Sequence, residues 1–68
     1  DTMSVAKIIE ISSESTSSFE DAINQGIETG AKTVRNIQGA WVKEQSVVVE
    51  NGKIVRYRVV LKVTFILD

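Results

Sequence analysis

Apolar positions along the chain change their spacing three times. From Met3 to Ser12 the apolar content is Val5, Ile8, Ile9 and Ile11, in a short stretch rich in β-branched side chains, which predicts a strand. Val5, Lys7, Ile9 and Ile11 share one face, and Ala6, Ile8 and Glu10 the other. Ser12 to Ser18 reads as a polar connection ending in a helix start, with a phosphorylation or anion site as the minor alternative. Ser17 with Glu20 fits a capping box, and Ser18 with Asp21 is the other register. Phe19, Ala22, Ile23, Gly26, Ile27, Gly30, Ala31 and Val34 then recur at helical spacing, with Asn36 as the predicted stop and Gly39 just beyond. Gly26 and Gly30 sit inside this stripe, each at a cost of ~1 kcal/mol relative to Ala, so the helix is expected to approach a sheet closely there.

Asn51-Gly52 separates two strand-like runs, Ala40–Glu50 and Lys53–Leu67. An Asn-Gly pair in that position is the strongest short hairpin signal, because a type I′ turn needs positive φ at both residues. With Glu50 facing Lys53 and no bulge, one face carries Val42/Leu61, Val48/Val55, Ala40/Val63, Ser46/Tyr57 and Glu44/Val59, extended by Phe65 and Leu67. The other carries Trp41/Lys62, Lys43/Val60, Gln45/Arg58, Val47/Arg56 and Val49/Ile54. The predicted fold is α+β, in β-α-β-β order. Its three-stranded antiparallel sheet has the first strand beside the last, with a right-handed crossover around one helix. The last strand would be ~45 Å long at ~3.3 Å per residue, too long for one short helix to cover.

The chain has 68 residues, which predicts a single domain over 1–68; Asp1 and Thr2, ahead of Met3, read as an added remnant. A lone core of this size rarely supplies more than ~3–5 kcal/mol, and with no cysteine to staple it, self-association is the expected remedy. The absence of His and Cys removes thiolate metal sites, Cys nucleophiles and the usual neutral-pH proton shuttle. Eight basic against nine acidic residues, net −1, argue against nucleic acid. No apolar run reaches the ~18 residues a bilayer requires, and no targeting pattern is present, so a cytoplasmic protein is expected.

Trp41, on the face the helix does not cover, is the most informative residue. It reads either as the anchor of a subunit interface or as a stacking platform for a flat ligand. Gln45 and Arg58, expected opposite each other on that face, would supply directional hydrogen bonds, and Lys62 a cation–π or anion contact. No Gly-rich phosphate loop, nucleophile elbow or partnered carboxylate pair is present, so no catalytic role is expected.

The chain resembles the dodecins from Ser4 to Asp68. The resemblance is carried by the Val5–Ile11 strand, Ser18-Phe19-Glu20-Asp21-Ala22-Ile23, Thr33-Val34-Arg35-Asn36-Ile37, Val42-Lys43-Glu44, Tyr57-Arg58-Val59 and Val63-Thr64-Phe65-Ile66-Leu67-Asp68. It implies a sheet wrapped partly around one helix, a hollow homododecamer, and flavin (FMN or riboflavin) stacked between Trp residues for storage or buffering rather than catalysis. It also implies a polar contact to the ring edge from the last strand. Aligned on Val42-Lys43-Glu44, Gly39 falls at the family's usual Trp position, with Trp41 two residues later on the same face, and Arg58 stands where Gln is usual. The expected cofactor-binding residues are therefore Trp41, Gln45 and Arg58. The competing reading is a flavin-free cage for another anionic or aromatic ligand or for metal ions, with Trp41 as an interface anchor. A plain structural module is the third.

Overall fold

A computed structural model describes residues 5–67. Asp1 and Thr2, expected to be a remnant, the expected strand start at Met3 and the terminal Asp68 lie outside the described residues. Strand β1 (Ala6–Ser15) leads to helix α1 (Phe19–Gly30), followed by the hairpin of β2 (Ile37–Glu50) and β3 (Lys53–Ile66). The sheet is antiparallel in the order β1-β3-β2, as the sequence pattern predicts.

Strand β1 continues through the serines that read as a connection. Ser12, Ser13, Glu14 and Ser15 pair with Val60, Val59, Arg58 and Tyr57. The long central strand offers unpaired backbone there, and ladder bonds outweigh weak side-chain propensity. Ser15 ends the strand and builds the helix start. The residue is buried (6 % exposed), and its hydroxyl accepts from the Ser17 and Ser18 amides (2.8 and 3.4 Å) and donates to Asp21 Oδ2 (2.6 Å). Ser18 is the N-cap, accepting from the Asp21 amide at 2.9 Å, so the Ser18/Asp21 register is the one used. That register seats Phe19 edge-on against Tyr57, with ring centroids 5.1 Å apart.

The helix ends at Gly30 rather than at Asn36. The Thr33 and Val34 amides both bond to the Gly30 carbonyl, closing a tightening turn. Asn36 takes positive φ (63°), which asparagine tolerates, and its carbonyl accepts from the Ile66 amide at 3.2 Å. The residues from Ile37 are thereby drawn into β2 instead of prolonging the helix.

Ala22, Val59, Leu61 and Val63 form the buried core, flanked by Ile9, Ile11, Phe19, Ile23, Ile27 and Ile37. Both helix glycines mark the close approach expected of them. A Cβ on Gly26 would lie 3.1 Å from Ser13 Cβ and 3.2 Å from Leu61 Cδ1, and one on Gly30 would lie 2.8 Å from the Ile11 Cδ1 tip. The helix rests on β1 and β3. It is ~18 Å long at ~1.5 Å per residue, against a molecule 56 Å in its longest dimension. Strand β2 consequently has no buried residue, and Val42, Val47 and Val49 remain exposed.

The two glycines are expected to respond differently to alanine. Gly26→Ala meets a Cβ fixed to the opposing backbone and should destabilise by about 1–3 kcal/mol despite its gain in helix propensity. Gly30→Ala meets a side-chain tip that can rotate away and should be nearly neutral. Urea denaturation of the two variants measures the contrast.

Candidate ligand platform on the outer sheet face

The sheet face turned away from the helix is assembled in rungs across β1, β3 and β2. In order they are Ile8–Thr64–Gly39, Glu10–Lys62–Trp41, Ser12–Val60–Glu44 and Glu14–Arg58–Ser46, with Arg56 opposite Val48 beyond. Side chains of directly paired residues project to the same side, so each rung is a cluster by construction.

The hairpin does not keep the in-step register that its turn predicts. Glu50↔Lys53 and Val49↔Ile54 pair as expected, but an extra residue on β3, Val55, shifts Val48 onto Arg56. An extra residue on β2, Lys43, restores the expected step at Val42↔Leu61 and Trp41↔Lys62. Between the two bulges every partner differs by one, and a slip of one exchanges faces. Gln45 therefore pairs with Val59 on the helix side, not with Arg58, and Arg58 pairs with Ser46. Glu44, expected beside Val59 on the helix side, pairs with Val60 on the outer face. The two bulges have opposite effects and restore the turn's register from Val42 to Gly39, so the turn sequence carries no trace of them; a third irregularity, with Gln38 extra on β2, sets Ile37 opposite Phe65.

Trp41 is 49 % exposed on β2, and the single ring contact among the described residues is Phe19–Tyr57, so its indole has no aromatic neighbour in the protomer. Gly39 lies one pair along the same face and Lys62 directly across. Arg58 shares that face four β3 residues from Lys62, ~13 Å away along the strand. The structure thus groups Trp41 with Lys62, Lys43 and Glu10, holds Arg58 at the far end of the same face, and puts Gln45 on the opposite one.

The cations of this face are paired, which the sequence reading did not foresee. Lys43 Nζ and Lys62 Nζ lie 3.2 and 3.9 Å from one oxygen of Glu10. Arg58 Nε donates to Glu14 Oε2, and Arg56 Nη1 lies 3.5 Å from Glu14 Oε1. The missed signal was the alternation Glu10, Ser12, Glu14, which lands both carboxylates on the outer face once β1 is carried through the serines. A shallow depression of about 430 Å³ opens at this charged end, lined by Ser12, Glu14, Glu44, Ser46, Arg58, Val59 and Val60. Among the described residues no three Asp or Glu side chains converge as metal ligands, and no helix is long and apolar enough to cross a membrane.

The hydrogen bond from Arg58 holds the Glu14 carboxyl below its ordinary range. A lowered folded-state value means that the pair stabilises the fold above the ordinary carboxylate range and that this contribution is lost as pH falls through the lowered value. Glu14 and its partners are solvent-exposed, so the effect is modest. Below about pH 5, the thermal midpoint of the wild type is expected to fall more steeply with acid than that of Glu14→Gln, as scanning calorimetry across pH would record.

Comparison with known proteins adds three findings. The sequence profile of the Dodecin family matches residues 5–68. Among solved structures, a dodecin from Thermus thermophilus superposes with a TM-score of 0.92 at 30 % identity, covering 97 % of each chain. Two arginine-to-alanine variants of the T. thermophilus dodecin also give a TM-score of 0.92, and a tryptophan-to-phenylalanine variant gives 0.91, each at 30 % identity. A dodecin from Streptomyces davaonensis gives 0.91 at 28 % identity over 96 % of each chain. A Mycobacterium tuberculosis protein, described as a calcium-chelating immunodominant antigen and calcium dodecin with a novel calcium-binding site, gives 0.81 at 35 % identity, covering 94 % of this chain and 91 % of its own. Comparison with curated protein sequences finds no match.

Proposed function

The chain belongs to the dodecin family and is a small-ligand-binding protein of that type; we propose that its ligand is a flavin, FMN or riboflavin, held and stored without catalysis in a cytoplasmic homododecamer. The observation that carries this reading is Trp41. It is a half-exposed indole on a strand that no helix covers, beside bare backbone on one side and lysines on the other. An indole offers a broad, electron-rich π surface at little conformational cost, the property that stacks a flat heterocycle and quenches its fluorescence.

The residues present fit such a ligand. Trp41 supplies the stacking surface. Lys62 and Lys43 share a single carboxylate, Glu10, which leaves one positive charge in excess in that group for a phosphate or a ring carbonyl. Arg58 donates from the far end of the face, at the distance of an extended side chain of the ligand rather than of its ring. Gln45 stands on the helix side and apart from this platform within the protomer.

Self-association follows from the same exposed strand. Val42, Val47 and Val49 on β2 and Ile54 on β3 are all more than a third exposed. Such surface on so small a domain is covered in stable proteins by a partner, and twelve copies is the family's arrangement that the resemblance implies.

Titration of FMN or riboflavin into purified protein should quench flavin fluorescence, and light scattering should give a mass near twelve protomers. Trp41→Ala is expected to abolish quenching while leaving that mass unchanged. Unquenched flavin with the wild type would defeat the flavin reading, and loss of the assembly in Trp41→Ala would favour the interface-anchor alternative. Lys62→Gln should weaken FMN more than riboflavin, which lacks the phosphate.

A further inference from the structure

Gly39 is a glycine without a backbone reason. It lies inside β2, where glycine weakens a strand through its extra conformational freedom and its missing side chain. Its φ is outside the left-handed region that favours glycine; Gly52 alone among the glycines has positive φ. The irregularity beside it adds Gln38, not Gly39, as the extra residue. Packing does not exclude a side chain either. A Cβ built on Gly39 would meet only Thr64 Oγ1, at an ordinary 3.7 Å, in contrast to the crowding at Gly26 and Gly30.

What Gly39 does provide is open space beside Trp41. The two residues lie on the same face of one strand, ~6.5 Å apart. A ring stacked on the indole from that side sits ~3.5–4.0 Å from it. It therefore occupies the volume into which any side chain at position 39 would project. The rest of that rung is accommodating: Ile8 is 51 % exposed, and the Thr64 hydroxyl is tied to the Gly39 carbonyl at 3.2 Å. On the other side of Trp41 the face turns cationic, with Lys62 and Lys43.

We propose that Gly39 is a specificity-determining residue of the Trp41 site: its missing side chain leaves the slot in which a flat heterocycle of the flavin class stacks on the indole, ring edge over the Gly39–Thr64 backbone and polar chain toward Lys62 and Lys43. This rests on the flavin reading and adds to it the side of the indole that is used and the residue that keeps that side open. It also sets stability and binding against each other at one position. A β-branched side chain at 39 suits the strand and fills the slot.

The test is FMN titration by fluorescence quenching with wild type, Gly39→Ala, Gly39→Val and Trp41→Ala, alongside thermal midpoints and light scattering without ligand. Gly39→Val is expected to keep the wild-type mass, to hold or raise the midpoint, and to weaken FMN by about tenfold or more, with Gly39→Ala in between. Wild-type affinity in Gly39→Val, with Trp41→Ala inactive, would overturn the slot while leaving the flavin reading intact. A lowered midpoint or a broken assembly in Gly39→Val would overturn it too, by assigning the glycine a structural role. Absence of quenching by the wild type would remove both readings together.

Discussion

Strand β2 is hydrogen-bonded along one edge and, beyond Ile37 where it meets the core, is largely uncovered on both faces. The helix rests on β1 and β3, so every residue of β2 keeps some exposure, including three valines and the tryptophan. A strand in that position is a standing invitation to pair or pack with another surface. The proposed self-association and the availability of Trp41 have this one cause. Had the helix been long enough to lie over the hairpin, the fold would be self-sufficient in that region and the indole face would have far less reason to be shared.

Small residues set how closely the helix approaches the sheet, beside the core contacts of Phe19, Ile23 and Ile27. Gly26 lets its backbone settle onto Ser13 and Leu61, and Ser15 fastens its start through Asp21 and two amides. The serine-rich segment is therefore structural at both ends: Ser13 is small because the helix must approach it, and Ser15 is polar because the first turn needs an acceptor. Overpacking at such a contact pushes the helix away from the sheet it rests on.

Charge organises the opposite face. The two carboxylates of β1 each hold two cations, Glu10 at the tryptophan end and Glu14 at the far end. These pairs are too exposed to stabilise the fold much. Their consequence is positional: they fix where the basic groups point, leave Trp41 bordered by lysines on one side, and leave the Gly39 side bare. Around Trp41 the face is therefore bare on the Gly39 side and basic on the side of Lys62 and Lys43.

The order of elements, the hairpin and its turn, the helix stripe, the close approach at Gly26 and Gly30, and the outward position of Trp41 were all determined by the sequence. Each depends on local periodicity or on backbone preferences of single residues, which a linear chain displays openly. The extent of β1, the end of the helix at Gly30 and the partners of Gln45, Glu44 and Arg58 were decided only in three dimensions. Serines join a strand because a distant strand offers them unpaired backbone. A helix stops where the chain must turn back to meet β3. Two compensating bulges reverse the faces of the residues between them and then restore the turn's register from Val42 to Gly39. Those outcomes are set by pairing between segments far apart in sequence, so the local pattern that reveals the fold is silent about them.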